Sequence, residues 1–274
     1  MSLLMIDHDK CKKDGMCVTV CPVRIIEIEE QGAFPSLIES GEDICIDCGH
    51  CVAICPHGAL SLKTMKAEDC TLVDRHNLPS SDQTEHLIQS RRSIRFYKET
   101  PVPRDILTNL VKVAGHAPSG HNTQPVEWLV IEDSKEVRRL AGIVVDWMQY
   151  MIKERPSFAE PLHLDKIVEL WNQGQDFVLW GAPHIVIAHG SEAWPLAETD
   201  SIIALTSLQL TAESYGLGTC WAGFFQIVAR SYPPMKEALQ LPLGSRSYGA
   251  LMIGYPKYQF ARIPLRHESK IIWR

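Results

Sequence analysis

The hydrophobic and polar positions of residues 85–274 follow periods that predict alternating helices and strands. Residues 104–117 place apolar side chains three and four positions apart, which predicts a helix with one buried face. Residues 201–218 are apolar over a longer stretch and finish with glycines, which predicts a buried helix that stops at a glycine. The apolar positions of the first helix are Ile106, Leu107, Leu110, Val111, Val113 and Ala114.

Three short segments of the same region favour strands. Residues 127–132 read E-W-L-V-I-E, and residues 247–255 read S-Y-G-A-L-M-I-G-Y. Residues 184–189 read H-I-V-I-A-H, and the continuous apolar character of this segment predicts a buried strand. Residues 65–84 show neither period, and their polar run L-P-S-S-D predicts a linker. Ser81 or Asp82 is expected to cap the helix that follows the linker.

Residues 1–64 differ from the rest of the chain in charge and in cysteine content. They hold ten Asp and Glu against five Lys and Arg, which accounts for −5 of the formal net charge of −6. They also hold seven of the nine cysteines. We therefore predict three parts: a domain at 1–64, a linker at 65–84 and a second domain at 85–274.

The composition restricts the partners and the location of the protein. A net charge of −6 gives no basic footprint for nucleic acid, and no apolar run is long enough to span a bilayer. The first ten residues lack the basic start and the long apolar stretch of a signal peptide, so a cytoplasmic location is expected. In that reducing compartment, clustered cysteines are more often metal ligands than disulfides.

The cysteines of residues 1–64 belong to an internal repeat with a period of 34 residues. Residues 11–22 read C-K-K-D-G-M-C-V-T-V-C-P, and residues 45–56 read C-I-D-C-G-H-C-V-A-I-C-P. Asp14 stands in the first copy where the second copy has Cys48. Each copy is too short to bury a core alone, so the two copies are expected to face each other.

The spacing of the thiols predicts two iron–sulfur clusters with crossed ligation. In runs of this kind, the last cysteine before the proline binds the cluster of the other run. One ligand set would be Cys45, Cys48, Cys51 and Cys21, and the other would be Cys11, Asp14, Cys17 and Cys55. The alternative is structural zinc, which favours four thiolates in two close pairs and fits this spacing poorly.

On these residues, segment 1–64 resembles a two-cluster bacterial ferredoxin. The resemblance implies a [4Fe–4S] cluster on the four-cysteine set. Asp14 departs from the ferredoxin pattern, and a carboxylate binds iron there more weakly than a thiolate. Related ferredoxins with aspartate at this position convert between [4Fe–4S] and [3Fe–4S]. The resemblance therefore allows either cluster type at this site, with Asp14 as a ligand or beside an open corner.

Three further motifs lie in the second domain. S-R-R-S-I-R (90–95) gathers three guanidinium groups that suit a phosphate, and alone it also fits a solvated basic helix face. A-P-S-G-H-N-T-Q-P (117–125) predicts an irregular loop whose amides can bond a heterocycle. Y-G-L-G-T-C-W-A-G-F (215–224) predicts a glycine-rich helix end before a strand, where the backbone can approach a flat ring.

Residues 85–274 resemble the FMN-dependent nitroreductase family. The resemblance lies in the order and spacing of these three motifs together with P-V-P-R-D-I-L, I-G-Y-P and R-I-P-L. The resemblance implies an α+β fold with a mixed sheet flanked by helices, and a homodimer with FMN at the subunit interface. It also implies that variable segments like 141–182 cover the flavin. Most aromatic side chains there, among them Trp180, are expected in the core or the dimer interface, with one or two against a planar substrate.

The resemblance also assigns FMN-binding residues by position. They are Arg91, Arg92, Ser93, Arg95, Pro118, Ser119, Asn122, Ala222, Gly223 and Arg262. Within this set, Pro118, Ser119 and Asn122 would reach the flavin held mainly by the partner subunit. Many family members carry lysine two positions before the last arginine of the set, where this chain has Phe260.

The two resemblances together predict a flavin-dependent oxidoreductase. Its clusters would relay electrons to FMN, which would reduce a nitroaromatic, quinone or similar small-molecule acceptor. No catalytic side chain is predicted, because the flavin carries the chemistry. The donor would be reduced ferredoxin, as the fused acidic segment suggests, or NAD(P)H, as in relatives that lack this segment. The alternative is an electron-transfer or redox-sensing module without turnover of its own.

Overall fold

The computed structural model describes residues 2–274, which form two compact units. The first unit consists of residues 2–78 and the segment Gly120–Thr123, and the second consists of Pro79–Ser119 and Gln124–Arg274. In the described part of the chain, no helix has the length and apolar character needed to cross a membrane. The cytoplasmic location stays a prediction.

The first unit is built from the two copies of the repeat. Its strands are β1 (Leu4–Ile6), β2 (Ile26–Glu27), β3 (Ser36–Leu37) and β4 (Leu60–Leu62), and its helices are α1 (Met16–Val20), α2 (Gly41–Ile44) and α3 (His50–Ile54). Strands β1 and β4 pair antiparallel, and so do β2 and β3. The apolar residues after each C-P pair are buried, namely Ile25, Ile26, Ala59, Leu60 and Leu62.

The 34-residue period extends to the backbone conformation of the two cysteine loops. Helices α1 and α3 each follow a glycine in the left-handed region, Gly15 with φ 73° and Gly49 with φ 69°. A Cβ at Gly49 would lie 2.7 Å from the Sδ atom of Met65, so a side chain there would displace the Met65 side chain. Lys13 and Asp47 are also left-handed, with φ of 55° and 50°. Since this conformation is costly for residues with a side chain, its recurrence shows that both loops share one conformation.

The second unit is a four-stranded sheet between two layers of helices. Its strands are β5 (Glu127–Ile131), β6 (His184–Ser191), β7 (Gly218–Trp221) and β8 (Ser245–Gly254). They lie in the order β5-β6-β8-β7, and all three neighbouring pairs are antiparallel. The helices are α4 (Ser81–Ser90), α5 (Arg104–Ala114), α6 (Ser134–Glu154), α7 (Pro156–Ala159), α8 (Leu164–Asn172), α9 (Ala197–Ser214), α10 (Gly223–Ser231) and α11 (Pro233–Leu239).

Both faces of this sheet are buried, which explains the unbroken apolar run of β6. Ile185 and Ile187 pack into the core that contains residues of α6, α8, α10 and α11. Val186 and Ala188 pack into the core that contains residues of α5 and α9. Because successive side chains of a strand point to opposite faces, residues 185–188 of this strand are apolar at every position. The three predicted strands, the two predicted helices and the α+β class are thereby confirmed.

The start of α4 differs from the prediction, and the end of α9 agrees with it. Ser80 caps α4, rather than Ser81 or Asp82, because the Ser80 hydroxyl accepts from the Gln83 N–H and the Gln83 side chain accepts from the Ser80 N–H. The predicted glycine stop of α9 is confirmed. Gly216 is left-handed with φ 67°, and the Leu217 N–H donates to the Ala212 carbonyl at 3.0 Å.

His184 is a buried polar link between β6 and two neighbouring segments. Its Nε2 accepts from the Val102 N–H at 2.8 Å, and its Nδ1 donates to the Glu132 carbonyl at 2.9 Å. Both bonds require the neutral ring, because a protonated ring has no acceptor for Val102. Burial lowers the pKa of His184 from its usual value.

We expect the free energy of unfolding of the second unit to fall as the pH drops below about 6.5, the usual histidine pKa. An unfolded histidine takes up a proton there while buried His184 does not, so acid favours the unfolded chain. His189, whose pKa burial also lowers, acts in the same direction.

His184→Gln should lower the free energy of unfolding by about 1–3 kcal/mol at neutral pH. It should also make that free energy less dependent on pH. The exposed His116 provides the control His116→Gln, which should change neither quantity. Urea unfolding followed by tryptophan fluorescence isolates the second unit, because all seven tryptophans lie at residue 128 or beyond. An unchanged pH slope in His184→Gln would contradict the assignment.

Candidate functional site

Four cysteines of the first unit line one pocket of about 380 Å³. Cys45, Cys48 and Cys51 come from the second copy of the repeat, and Cys21 comes from the first. The other walls are largely apolar, with Leu4, Ile25, Ile26, Leu37 and Leu62 among them. The structure thus brings together the four residues that crossed ligation requires.

The second ligand set lines a separate pocket of about 370 Å³, with Cys11, Asp14, Cys17 and Cys55 in its walls. Asp14 is exposed, and its Oδ1 accepts from the Met16 N–H at 3.1 Å at the start of α1. The carboxylate therefore lies at the corner that Cys48 takes in the first pocket, and it also bonds to the backbone.

The chemistry of both pockets fits a multi-iron cluster. Backbone amides already point at thiols: the Asp47 N–H donates to Cys45 Sγ and the Ala59 N–H to Cys55 Sγ, each at 3.4 Å. Burial raises the pKa of Cys51 to about 11, so its thiolate needs bound metal to form at neutral pH. Within residues 2–274, no three His, Cys, Asp or Glu side chains converge closely enough to hold a single metal ion. The thiols instead surround the two cavities.

The arginine motif of the second unit lies along β7. Ser93 forms a parallel bridge with Thr219, and the Ile94 N–H donates to the Thr219 carbonyl at 2.9 Å. This approach requires glycine at Gly218, because a Cβ there would lie 2.4 Å from the Cγ1 atom of Ile94. Helix α4 ends at Ser90. The alternative of a basic helix face is therefore wrong, since residues 91–95 are not helical.

The guanidinium of Arg92 carries donors that suit an anion. Its Nη1 donates to the Arg91 carbonyl at 2.8 Å, whereas Nε and Nη2 are buried and have no hydrogen-bond partner in the described chain. Buried donors are nearly always paired in folded proteins, so these two indicate a missing acceptor. Arg91 and Arg95 lie near Cys220. Burial raises the pKa of that thiol, and the two arginines oppose the shift.

An open pocket of about 610 Å³ adjoins the arginine motif. Its lining is Ser93, Ile94, Arg95, Phe96, Trp180, Tyr258 and Phe260. Phe96 meets Trp180 and Tyr258 edge to face, with ring centroids 6.0 and 5.8 Å apart. Phe96 and Tyr258 are site residues that the sequence motifs do not predict. Their signal is position, since Phe96 directly follows the arginine motif and Tyr258 closely follows I-G-Y-P.

The remaining predicted FMN residues do not lie at one site. Ala222 and Gly223 follow β7, and α10 begins there without a side-chain cap and with open space beside Gly223. Pro118 and Ser119 line a different pocket of about 450 Å³. Arg262 lies in the exposed segment that follows β8. The single chain therefore does not bring all these residues to one pocket.

Asn122 belongs to the first unit, whereas the other predicted FMN residues belong to the second. Its Nδ2 donates to the Asp47 carbonyl at 3.0 Å and to the Ile46 carbonyl at 3.4 Å. Both acceptors belong to the loop between Cys45 and Cys48. The predicted contact of Asn122 with a flavin stays a prediction.

Comparison with known proteins identifies a family for each of the two parts of the chain. The nitroreductase family model matches residues 88–255, and a model described as a 4Fe-4S dicluster domain matches residues 3–56. The chain is 30% identical over 204 residues to a Thermus thermophilus protein named NADH dehydrogenase, covering 67% of this chain and 92% of the relative. It is 25% identical to iodotyrosine deiodinase 1 of Sus scrofa, covering 67% of this chain and 64% of that protein.

A solved structure shows the same fold for the second unit. A nitroreductase with bound FMN from Bacteroides fragilis matches with a TM-score of 0.59 and 19% identity. The match covers 70% of this chain and 99% of that chain.

Proposed function

The chain belongs to the nitroreductase family and carries a 4Fe-4S dicluster domain, and from this premise we propose an enzyme whose clusters relay electrons to FMN. Bound FMN would supply the reduction of a nitroaromatic, quinone or similar conjugated acceptor, with the clusters as one-electron carriers. The observation that carries the proposal is the grouping of the eight predicted ligands around two pockets of nearly equal size.

Cys21, Cys45, Cys48 and Cys51 would hold a [4Fe–4S] cluster. Cys11, Cys17 and Cys55 would hold the second cluster, as [4Fe–4S] with Asp14 as a ligand or as [3Fe–4S] beside an open corner. The exposure of Asp14 and its bond to the Met16 amide support a corner that can release iron. Electron paramagnetic resonance of the anaerobic protein distinguishes the two cluster types.

The arginine motif would hold the phosphate and ribityl chain of FMN. The unpartnered donors of Arg92 and the exposed side chains of Ser93 and Arg95 support this role. Ala222 and Gly223 would offer backbone groups beside the flavin ring, and Arg262 would contact the phosphate. Pro118 and Ser119 lie at another pocket of the same chain, which is consistent with a homodimer in which they serve the flavin of the partner subunit.

We expect steady-state turnover under anaerobic conditions. With reduced ferredoxin as donor, the protein should reduce many equivalents of a nitroaromatic per flavin, above a blank without the protein. NADH in place of ferredoxin tests the other donor, which the name of the Thermus relative favours. Electron uptake that stops at the capacity of the bound cofactors would contradict the enzyme proposal and support the electron-transfer or sensing module.

A further inference from the structure

The loop between Cys45 and Cys48 is held by the side chain of Asn122. The Ile46 carbonyl, which accepts from Asn122 Nδ2 at 3.4 Å, belongs to the same peptide group as the Asp47 N–H. That N–H donates to Cys45 Sγ at 3.4 Å. Because a trans peptide group is planar and its oxygen and hydrogen point in opposite directions, a bond that fixes the oxygen also fixes the direction of the N–H.

The conformation of this loop needs such support. Asp47 has a left-handed φ of 50°, which costs of order 1–3 kcal/mol for a residue other than glycine and persists only where the surroundings fix it. The Thr64 hydroxyl donates to the Asp47 carboxylate, and Asn122 donates to the Asp47 carbonyl at 3.0 Å. One hydrogen bond therefore fixes the side chain of Asp47, and another fixes its backbone.

The first copy of the repeat supports the same conformation by other contacts. Lys13, the counterpart of Asp47, has a φ of 55°. Its ammonium lies 4.1 Å from the centroid of the Phe34 ring and donates to the Gly32 carbonyl. The bonds from Asn122 to the Ile46 and Asp47 carbonyls both go to the second loop, so their loss should act on the second loop rather than on the first.

We infer that Asn122 is a positioning residue that raises the reduction potential of the cluster proposed on Cys21, Cys45, Cys48 and Cys51. The inference rests on the proposed clusters. A hydrogen bond to a cluster thiolate stabilises the negative charge that reduction adds, and so raises the potential. Asn122 strengthens such a bond by orienting the Asp47 N–H and by polarising the peptide group through its carbonyl.

The test is a redox titration of the anaerobic full-length protein, followed by electron paramagnetic resonance. The variants are Asn122→Ala, which removes the amide, and Asn122→Asp, which keeps the shape but faces the carbonyls with acceptor oxygens. Asn77→Ala is the matched control, because Asn77 lies in the same unit and its amide bonds to the Asp74 side chain. The signal of the affected cluster is identified as the one that Cys48→Ser alters.

The midpoint potential of that cluster should shift to lower values in Asn122→Ala and further in Asn122→Asp. The other cluster, and both clusters of Asn77→Ala, should keep their potentials. If Asn122→Asp loses iron, it should lose it from that one cluster. Equal shifts of both clusters, or no shift of either, would overturn the inference.

Flavin content measured on the same samples separates this inference from the sequence-based role of Asn122. Loss of flavin with unchanged cluster potentials would overturn the positioning role and support a contact with FMN. Absence of cluster signals from the unmodified protein would overturn the proposed relay as well. Normal cluster signals whose midpoint potentials do not change in the Asn122 variants would overturn the positioning role alone.

Discussion

Cys21→Ser should disrupt the cluster of the second repeat, although Cys21 belongs to the first. The thiol lines the pocket of Cys45, Cys48 and Cys51. Loss of one of four ligands should reduce the iron content by about half, because a full pair of clusters holds about eight irons. Turnover driven by reduced ferredoxin should fall by at least about 10–100-fold, the loss that even outer-shell changes at metal sites cause.

The outcome distinguishes crossed from uncrossed ligation. If ligation is crossed, the paramagnetic signal lost in Cys21→Ser is the one lost in Cys48→Ser, and Cys55→Ser loses the signal that Cys11→Ser loses. The exposed Cys70 gives the control Cys70→Ser, which should keep all iron. A Cys21→Ser protein that matches Cys11→Ser would show that each repeat binds its own cluster.

The grouping of the cysteines could be anticipated because the repeat and its ligand spacing are visible in the sequence. Ligand spacing and the 34-residue period fix which thiols face one cavity, and both copies then adopt the same loop, with left-handed backbone at Lys13 and Asp47. The strand β6 could be anticipated for a similar reason. A segment buried on both faces of a sheet is apolar at successive positions, as residues 185–188 are, and the sequence shows this directly.

The features that could not be anticipated depend on contacts between distant residues. The motif at 117–125 predicts an irregular loop, and the structure has one there, with left-handed backbone at His121, Asn122 and Gln124. No local pattern shows that the amide of Asn122 meets a carbonyl 75 residues away. The lining of the pocket beside Arg95 likewise combines residues 93–96, 180, 258 and 260, which only the fold brings together.

Arg92→Ala combined with Arg95→Ala should abolish the retention of FMN. Each charge-assisted hydrogen bond to the phosphate contributes about 1.5–3 kcal/mol, so the double variant should bind FMN about 10²- to 10⁴-fold more weakly. The control is Arg104→Ala with Arg139→Ala, which removes the same charge from ion pairs with Glu132 and Glu136 at the surface, where such pairs contribute little. Gel filtration followed by flavin fluorescence measures retention, and titration of FMN into the apoprotein measures affinity.

Iron content should stay the same in both double variants, because the arginines lie outside the cluster unit. Tight flavin in the first double variant would contradict the phosphate site.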